Sequence, residues 1–425
     1  MTEALALGID LGTSGVRVVA TNAQHDVIAF ATTPLPAPLR AGHHVTQNAE
    51  VWWQAVCTVL DELRLKISMS SVVAISVDGT SGSIVPIDID GRPLAPASMY
   101  NDRSDRQVAE SIARIAPPET AAHGMTSPLG RALAFQNIKN IARILHQADW
   151  IISHFTGRFD TSDENNALKT GYNPITRAWP DWIERAGFDL KLLPNVVPVG
   201  SVTGLVCTGM QQRFGFSNSA RVVAGTTDGC AAFLASGASK IGDGVTSLGT
   251  TLVIKLLSEA PIFASQCGIY SHRIGDLWLA GGASNSGGAA LLKFFDADQM
   301  AALEPLMRVD HPIGLDFYPL QGTGERFPVY DPQLKSRVSP RPADDAQFLQ
   351  ALLEGVGHVE ALAYQRMAEL GGPALNRVFT VGGGAKNTAW GEIRSRILKL
   401  PLHHPASEDA AAGTARLAWK GFYAT

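Results

Sequence analysis

The chain has 425 residues, 45% of them hydrophobic and 17% charged, with a formal net charge of −4. Such a length exceeds what one hydrophobic core normally supports, so two domains of roughly 200 residues each are expected. The charge balance argues against nucleic acid or an anionic membrane as partner. Four scattered cysteines (Cys57, Cys207, Cys230, Cys267) form no CxxC pair, which disfavours a disulfide framework or a zinc site and suits free thiols in a reducing compartment. No run approaches the ~18 uncharged apolar residues of a membrane span. The N-terminus reads as a strand rather than a leader, and the expected setting is the cytoplasm.

Residues 5–20, LALGIDLGTSGVRVVA, alternate as two strands around a turn at Gly12–Gly15, and a second turn follows near Asn22–Asp26. After a connector with Pro34, Pro36 and Pro38, Asn48 reads as the N-cap of a helix carrying Trp52, Trp53, Val56, Val59 and Leu60. Residues 71–89 read strand, turn, strand, with Asp78, Gly79, Thr80 and Ser81 at the bend. Residues 104–156 are mostly helical in pattern, broken at Gly124–Pro128. The Pro-, Gly- and Ser-rich stretch 194–220 predicts a domain boundary, giving domains 1–220 and 221–425. The second half repeats the theme: a strand at 221–224, a Gly-Thr-Thr-Asp turn, a helix, then the hairpin VTSLGTTLVIKL at 245–256. A surface loop over 322–345 precedes a helix over 345–370, capped by Asp344 or Asp345 and stopped by Gly371, Gly372 and Pro373. A strand Arg377–Val381 then runs into Gly382–Gly384, with another helix starting near Asn387. Alternating strands and helices in both halves predict an α/β protein.

Chemistry is suggested by the turns. Backbone N–H groups in a tight glycine turn make a concave anion site, and Thr13, Ser14, Thr250 and Thr251 add hydroxyls. One such hairpin describes an ordinary strand connection equally well. Two of them, one in each half, point to a phosphate-gripping device. VGGGAKN at 381–387 sits between strand and helix, where a helix N-terminus favours polar or anionic groups. Asn387 offers a partner for a base or ribose; Trp390 either stacks on a base or packs the core. Three carboxylates, Asp10, Asp78 and Asp228, stand at strand ends beside glycine. In its apolar surroundings Asp228 suits a general base acting on a hydroxyl. Asp10, against the phosphate turn, suits a site for magnesium, which needs only one or two carboxylates. No GxxxxGK[ST] P-loop, GxGxxG after a strand, or protein-kinase set occurs.

In order along the chain, LGIDLGTSGVR, VDGTSG, YNDR, AGTTDG, TSLGTT and GGGAKN resemble the FGGY carbohydrate kinases, of the actin and Hsp70 ATPase superfamily. NALKTGYNP, YSHRIG and GGASNSGG look most like the short D-ribulose kinase or xylulose kinase-like members. The resemblance implies two actin-like (ribonuclease H-like) α/β domains with mixed sheets and an interdomain cleft. It also implies ATP and Mg²⁺ as cofactors and a small sugar, D-ribulose first, as the partner. D-xylulose or another pentulose or polyol is the alternative substrate. A chaperone-like ATPase switch and a silent sugar-binding regulator are the alternatives of other classes.

Position by position, Asp228 matches the family's catalytic base. Asp10 matches the aspartate near magnesium, which it holds through water, and near the reacting hydroxyl. Thr13, Ser14 and Gly15 match the first phosphate loop; Ser81, and Asp102 in YNDR, fall on the sugar side. Gly249 and Thr250 match the second phosphate loop. Gly282, Gly383, Gly384 and Asn387, with Trp390, match the nucleotide site. Two departures stand out: Tyr100 replaces the Trp of the family's W-x-D-x-R pattern, and Arg131 stands where members often have Lys. Both bear on substrate fit more than on phosphoryl transfer.

Overall fold

In the computed structural model, which describes residues 3–424, the chain divides into two compact units. The first runs to Ala235 and adds His272–Gly275 and the tail from Asp409; the second holds Ser236–Ser271 and Asp276–Glu408. The boundary expected between residues 220 and 221 is therefore displaced. Strand pairing is the reason: Arg221–Thr227 lies parallel to Val72–Gly79, with Thr226 opposite Asp78, which commits it and the helix behind it to the first unit. The Pro- and Gly-rich composition of 194–220 marks an irregular crossing within that unit, containing the short strands Asn195–Val197 and Val202–Leu205.

The main sheet of the first unit has the order Val202–Leu205, Arg221–Thr227, Val72–Gly79, Leu5–Leu11, Gly15–Thr21, Val27–Pro34. Its three middle strands are parallel and its outer pairs antiparallel, so the sheet is mixed. Period-2 alternation sorts the faces. Leu7, Ile9 and Leu11 join Trp52, Val56 and Leu60 of the helix Glu50–Leu63 and Trp150 and Phe155 of the helix Gln147–Thr156 in one core. On the other face the small residues Ala6 and Ala74 meet Ala418 and Trp419 of the C-terminal helix Ala410–Tyr423. Gly8 lets that helix come so close that a Cβ there would stand 1.9 Å from the Ala411 carbonyl oxygen.

Asn48 accepts from the Glu50 N–H at 3.1 Å at the start of the first helix, one residue from the expected cap geometry. The segment after Val72–Gly79 is not a hairpin arm. Ile84–Ile87 belongs to a separate five-stranded sheet with Leu39–Ala41, His44–Gln47, Ala97–Ser98 and Arg143–His146. The last of these strands interrupts the stretch read as helical, because its four residues are too few to show a period.

The second unit repeats the plan. Its sheet runs Tyr270–Ile274, Leu277–Ser284, Leu252–Ser258, Asp243–Leu248, Arg377–Val381, Leu402–His403. A hairpin again flanks a strand that has parallel neighbours on its other side. The helix Asp345–Glu369, capped by the Asp344 carboxylate accepting from the Gln347 N–H, fills its core with Phe348, Leu352, Val356 and Val359. The expected surface loop over 322–345 is irregular but not superficial. Phe327 is fully buried, and Glu325 accepts from Ser284 Oγ, Tyr318 Oη and the Asn285 N–H. Among the described residues no helix is long and apolar enough to cross a membrane.

Candidate functional site

Register brings three carboxylates to one corner of the first unit. Asp10 is paired with Asp78 across two parallel strands, and Thr226 and Thr227 lie opposite Asp78 and Gly79 on the next. Asp228 follows at once as the first residue of the helix Asp228–Ala235, so strand runs into helix without the turn the sequence suggested. Strand ends place ligands at the carboxyl edge of parallel sheets, and all three aspartates stand there.

The corner is strongly acidic. Asp78 is fully buried; Thr414 Oγ1 of the C-terminal helix donates to its Oδ2, and its carboxyl hydrogen-bonds Asp10. Burial pushes Asp10 up to about 6; the Asp78 hydrogen bond and Arg17 oppose that rise, while Asp228 and Asp409 add to it. Burial, then the Asp10 charge, drives Asp78 well above the usual carboxylate range. Arg17, opposite Asp10 on the neighbouring strand, is ion-paired with Asp409 at 3.1 Å. Carboxylates thus outnumber the cation beside them, which is the hard-oxygen, negative setting that magnesium favours. Asp10 fits such an ion. No group of three His, Cys, Asp or Glu suited to hold a metal by itself occurs among the described residues. Asp228 is half-buried, and its Oδ1 accepts from the Gly229 N–H at 2.6 Å.

The remaining residues expected in this unit divide in two. Thr13 and Ser14 are exposed at the hairpin tip, closed by the Gly12 N–H to Gly15 O bond at 3.0 Å. Ser81 Oγ is buried without an internal hydrogen-bond partner. Gly15 owes its glycine to packing, since a Cβ would meet Thr33 O at 2.8 Å. Asp102 has its oxygens occupied: Oδ2 accepts from Ser98 Oγ at 2.5 Å, and Oδ1 from the Val45 and Arg103 N–H groups at 3.1 and 2.8 Å. Expected on the sugar side, it instead pins its own loop, although it also lines a cavity of about 480 Å³ with His44, Arg103 and Phe135.

In the second unit, Gly249 and Thr250 form the hairpin tip, whose carbonyls accept from the Gly288 and Ala289 N–H groups at 2.9 and 3.0 Å. Thr250 is exposed. Gly382 abuts the end of that hairpin, since a Cβ would come within 3.0 Å of Leu248 O. Gly383 has nothing within 4 Å of its missing Cβ, so its face is open. Four expected nucleotide residues have structural duties. Gly384 packs on the Trp390 ring, a Cβ falling 2.5 Å away, and Trp390, only 3% exposed, is core and not available for stacking. Gly282 is buried under Phe327, a Cβ there meeting the ring at 2.7 Å. Asn387 Oδ1 accepts from the Trp390 N–H at 2.6 Å and caps the helix Thr388–Leu398. Its amide Nδ2 remains for other partners, and Gly384, Asn387 and the open Gly391 line a cavity of about 530 Å³. An open glycine at a helix N-terminus suits the polar and anionic parts of a nucleotide.

Sequence reasoning left unremarked Thr414, Asp409 and Gln147, whose Oε1 accepts from the Thr80 N–H and Oγ1 in the bend before Ser81. Asp409 precedes an alanine run, a helix-start signal that could have been read; the other two carry no local signature.

Comparison with known proteins agrees with this architecture. The model of the FGGY family of carbohydrate kinases, N-terminal domain, matches residues 5–126, and that of its C-terminal domain matches residues 244–421. The xylulose kinase of Escherichia coli (strain K12) is 26% identical over 440 residues, covering 97% of this chain and 89% of the relative. That of Klebsiella pneumoniae is 28% identical, again covering 97% and 89%. A crystal structure of a xyloylose kinase from Brucella ovis superposes with a TM-score of 0.90 at 23% identity, covering 99% of this chain and 91% of that one, which bears on the fold alone. With both family models matched in order, the chain belongs to the FGGY family of carbohydrate kinases and is a sugar kinase.

Proposed function

We propose that the chain transfers the terminal phosphoryl group of ATP to a hydroxyl of a ketopentose, D-ribulose in first place. The observation that carries this reading is the strand register that sets Asp228 in the electrostatic neighbourhood of Asp10, beside a third buried acid. The sugar oxygen attacks phosphorus as the bond to the ADP oxygen breaks, and the sugar proton passes to Asp228. Asp10 orients the same hydroxyl, and Ser81, whose hydroxyl lacks an internal partner, accepts or donates to a second one. Magnesium, held by Asp10 through water, would supply charge neutralisation at the transferred group. Thr13 and Ser14, and separately Gly249 and Thr250, offer N–H and hydroxyl donors to phosphate. Gly383 and Asn387 serve the adenosine. The four free cysteines support a reducing, cytoplasmic setting.

D-ribulose is favoured by the segments at 166–174, 270–275 and 281–288, which resemble D-ribulose kinases. D-xylulose is the second reading, favoured by the relatives named as xylulose kinases. A panel of ketopentoses, pentitols and glycerol, with ATP and magnesium, tests both. The first reading expects kcat/KM for D-ribulose to exceed that for D-xylulose by about tenfold or more, since buried hydroxyl recognition discriminates strongly. The reverse order installs the second reading, and ADP release without sugar phosphate sinks both.

A further inference from the structure

We infer that Arg131 is a positioning residue for sugar selectivity: its guanidinium braces the Gly79–Ser83 bend against the segment that leads into Tyr100–Arg103. The inference rests on the reading of the Ser81 bend as a sugar contact. Arg131 is 4% exposed on the helix Pro128–Phe135. Its Nη2 donates to the Gly82 carbonyl at 2.5 Å and the Thr126 carbonyl at 3.1 Å. Its Nη1 donates to the carbonyls of Ser98 and Met99 at 3.1 and 2.8 Å and to Ser98 Oγ at 2.6 Å. Ser98 Oγ passes the constraint on by donating to Asp102. One planar fork thus joins three stretches of chain; sheet pairing fixes Ser98 against Ile84, and the fork extends that hold to the Gly82, Met99 and Thr126 carbonyls, which lie outside the strands.

The bend has a second hold on its other side. Gln147 Oε1 accepts from both the Thr80 N–H and Thr80 Oγ1, at 3.0 and 2.7 Å, and the Gln147 N–H donates to Ser83 O at 3.0 Å. Ser83 Oγ in turn accepts from the Tyr100 N–H at 3.0 Å. Within this frame Thr80, Gly82 and Ser83 are engaged, and Ser81 alone keeps a hydroxyl with no internal partner. Arg131 touches none of the reacting groups; it fixes where that hydroxyl points relative to the Tyr100–Arg103 loop. Nε makes no hydrogen bond, so a buried donor is tolerated here. That is easier to account for by geometry than by stability. A lysine offers three donors from a single nitrogen and cannot serve acceptors on two sides of a fork. Lysine at this place would keep the Ile84–Ser98 strand pair but loosen the Gly82 carbonyl and the start of the Tyr100–Arg103 loop relative to each other. Epimeric pentuloses differ only in where one hydroxyl points, so such a shift blurs their discrimination.

Arg131→Lys in the full chain tests this by steady-state kinetics with D-ribulose, D-xylulose and ATP. The expected result is a rise of about tenfold in sugar KM, ATP KM within about twofold, and a loss of about tenfold in the ratio of kcat/KM between the epimers. That ratio does not depend on the fraction of active enzyme, so partial unfolding leaves it unmoved. Should Arg131→Lys fail to fold, Ser98→Ala removes one acceptor of the fork, and the ratio should fall about threefold. A sugar KM and an epimer ratio both within twofold of wild type overturn the inference, as does an equal rise in sugar and ATP KM. Wild-type silence toward both pentuloses instead sinks the substrate reading. The ratio is then taken on whichever acceptor pair of the panel the wild type uses.

Discussion

Gly413→Ala should damage the site without touching a reacting group. Gly413 lies where the C-terminal helix crosses the helix Asp228–Ala235, and a Cβ would stand 1.9 Å from the Ala231 carbonyl oxygen and 2.7 Å from the Ala235 nitrogen. Ordinary contact begins near 3.4 Å, so the helices must part by about 1.5 Å (3.4 less 1.9). Neither neighbour is a side chain that can rotate away. The shift falls on a helix that also rests on Gly8 and carries Thr414, the donor to Asp78. Overpacking of this kind costs about 3 kcal/mol, at the upper end of its usual range, offset by about 1 kcal/mol from the better helix propensity of alanine. For a unit of this size the net corresponds to a fall of roughly 4–8 °C in melting temperature. Displacing Thr414 and Asp78 from Asp10 should also lower kcat about tenfold or more, because small misplacements at a reacting centre are costly. Circular dichroism melts and a coupled ADP assay measure both. Gly209→Ala, in a helix with nothing within 4 Å, is the control and should melt no lower than wild type and up to about 4 °C above it. A Gly413→Ala protein with unchanged melting and full turnover would refute the argument.

Asp228→Asn should leave ATP affinity nearly intact and reduce turnover by about 10² or more, as loss of a general base does; near-normal sugar phosphorylation would defeat the base assignment. At Asn387 two substitutions separate structure from binding. Asn387→Asp keeps the acceptor that caps the helix and loses the amide donor, so ATP KM should rise with melting unchanged, whereas Asn387→Ala should also destabilise by about 1 kcal/mol. Calorimetry showing equal loss of sugar and nucleotide affinity would count against the adenosine assignment. A pH effect is expected at Asp163. Burial raises its carboxyl to about 6, against the pull of Asn165 and Asn166 donors. The folded state therefore holds an extra proton between about 4 and 6, and its contribution to stability is lost as pH rises through that window. The melting temperature of Asp163→Asn relative to wild type should accordingly climb from pH 4.5 to 7.5; a flat difference would contradict the assignment.

Much of this was legible in the chain itself. Alternation around Gly12–Gly15 and around Gly249–Thr251, the capped helix after Asp344 and the glycines after Val381 are local signals, and the structure realises each where it was expected. Trp390 and Gly282 show where local reading ends. A tryptophan one turn into a helix and a glycine in a strand are compatible with either ligand contact or packing, and only the neighbours, Gly384 and Phe327, decide for packing.

Sequence by itself determined the hairpins, the strand-end aspartates and the order of motifs, because these depend on period, turn chemistry and residue type within a few positions. Tertiary structure alone decided which unit owns Arg221–Ala235, that the last helix returns beneath the first strand, and that Asp10, Asp78 and Asp228 share a corner. The shared corner rests on the pairing of Asp10 with Asp78, 68 positions away, and of Asp78 with Thr226, 148 positions away, and the helix return on the still more distant contact of Gly8 with Ala411. Register across a sheet is set by how whole faces pack, and no short window of sequence records it.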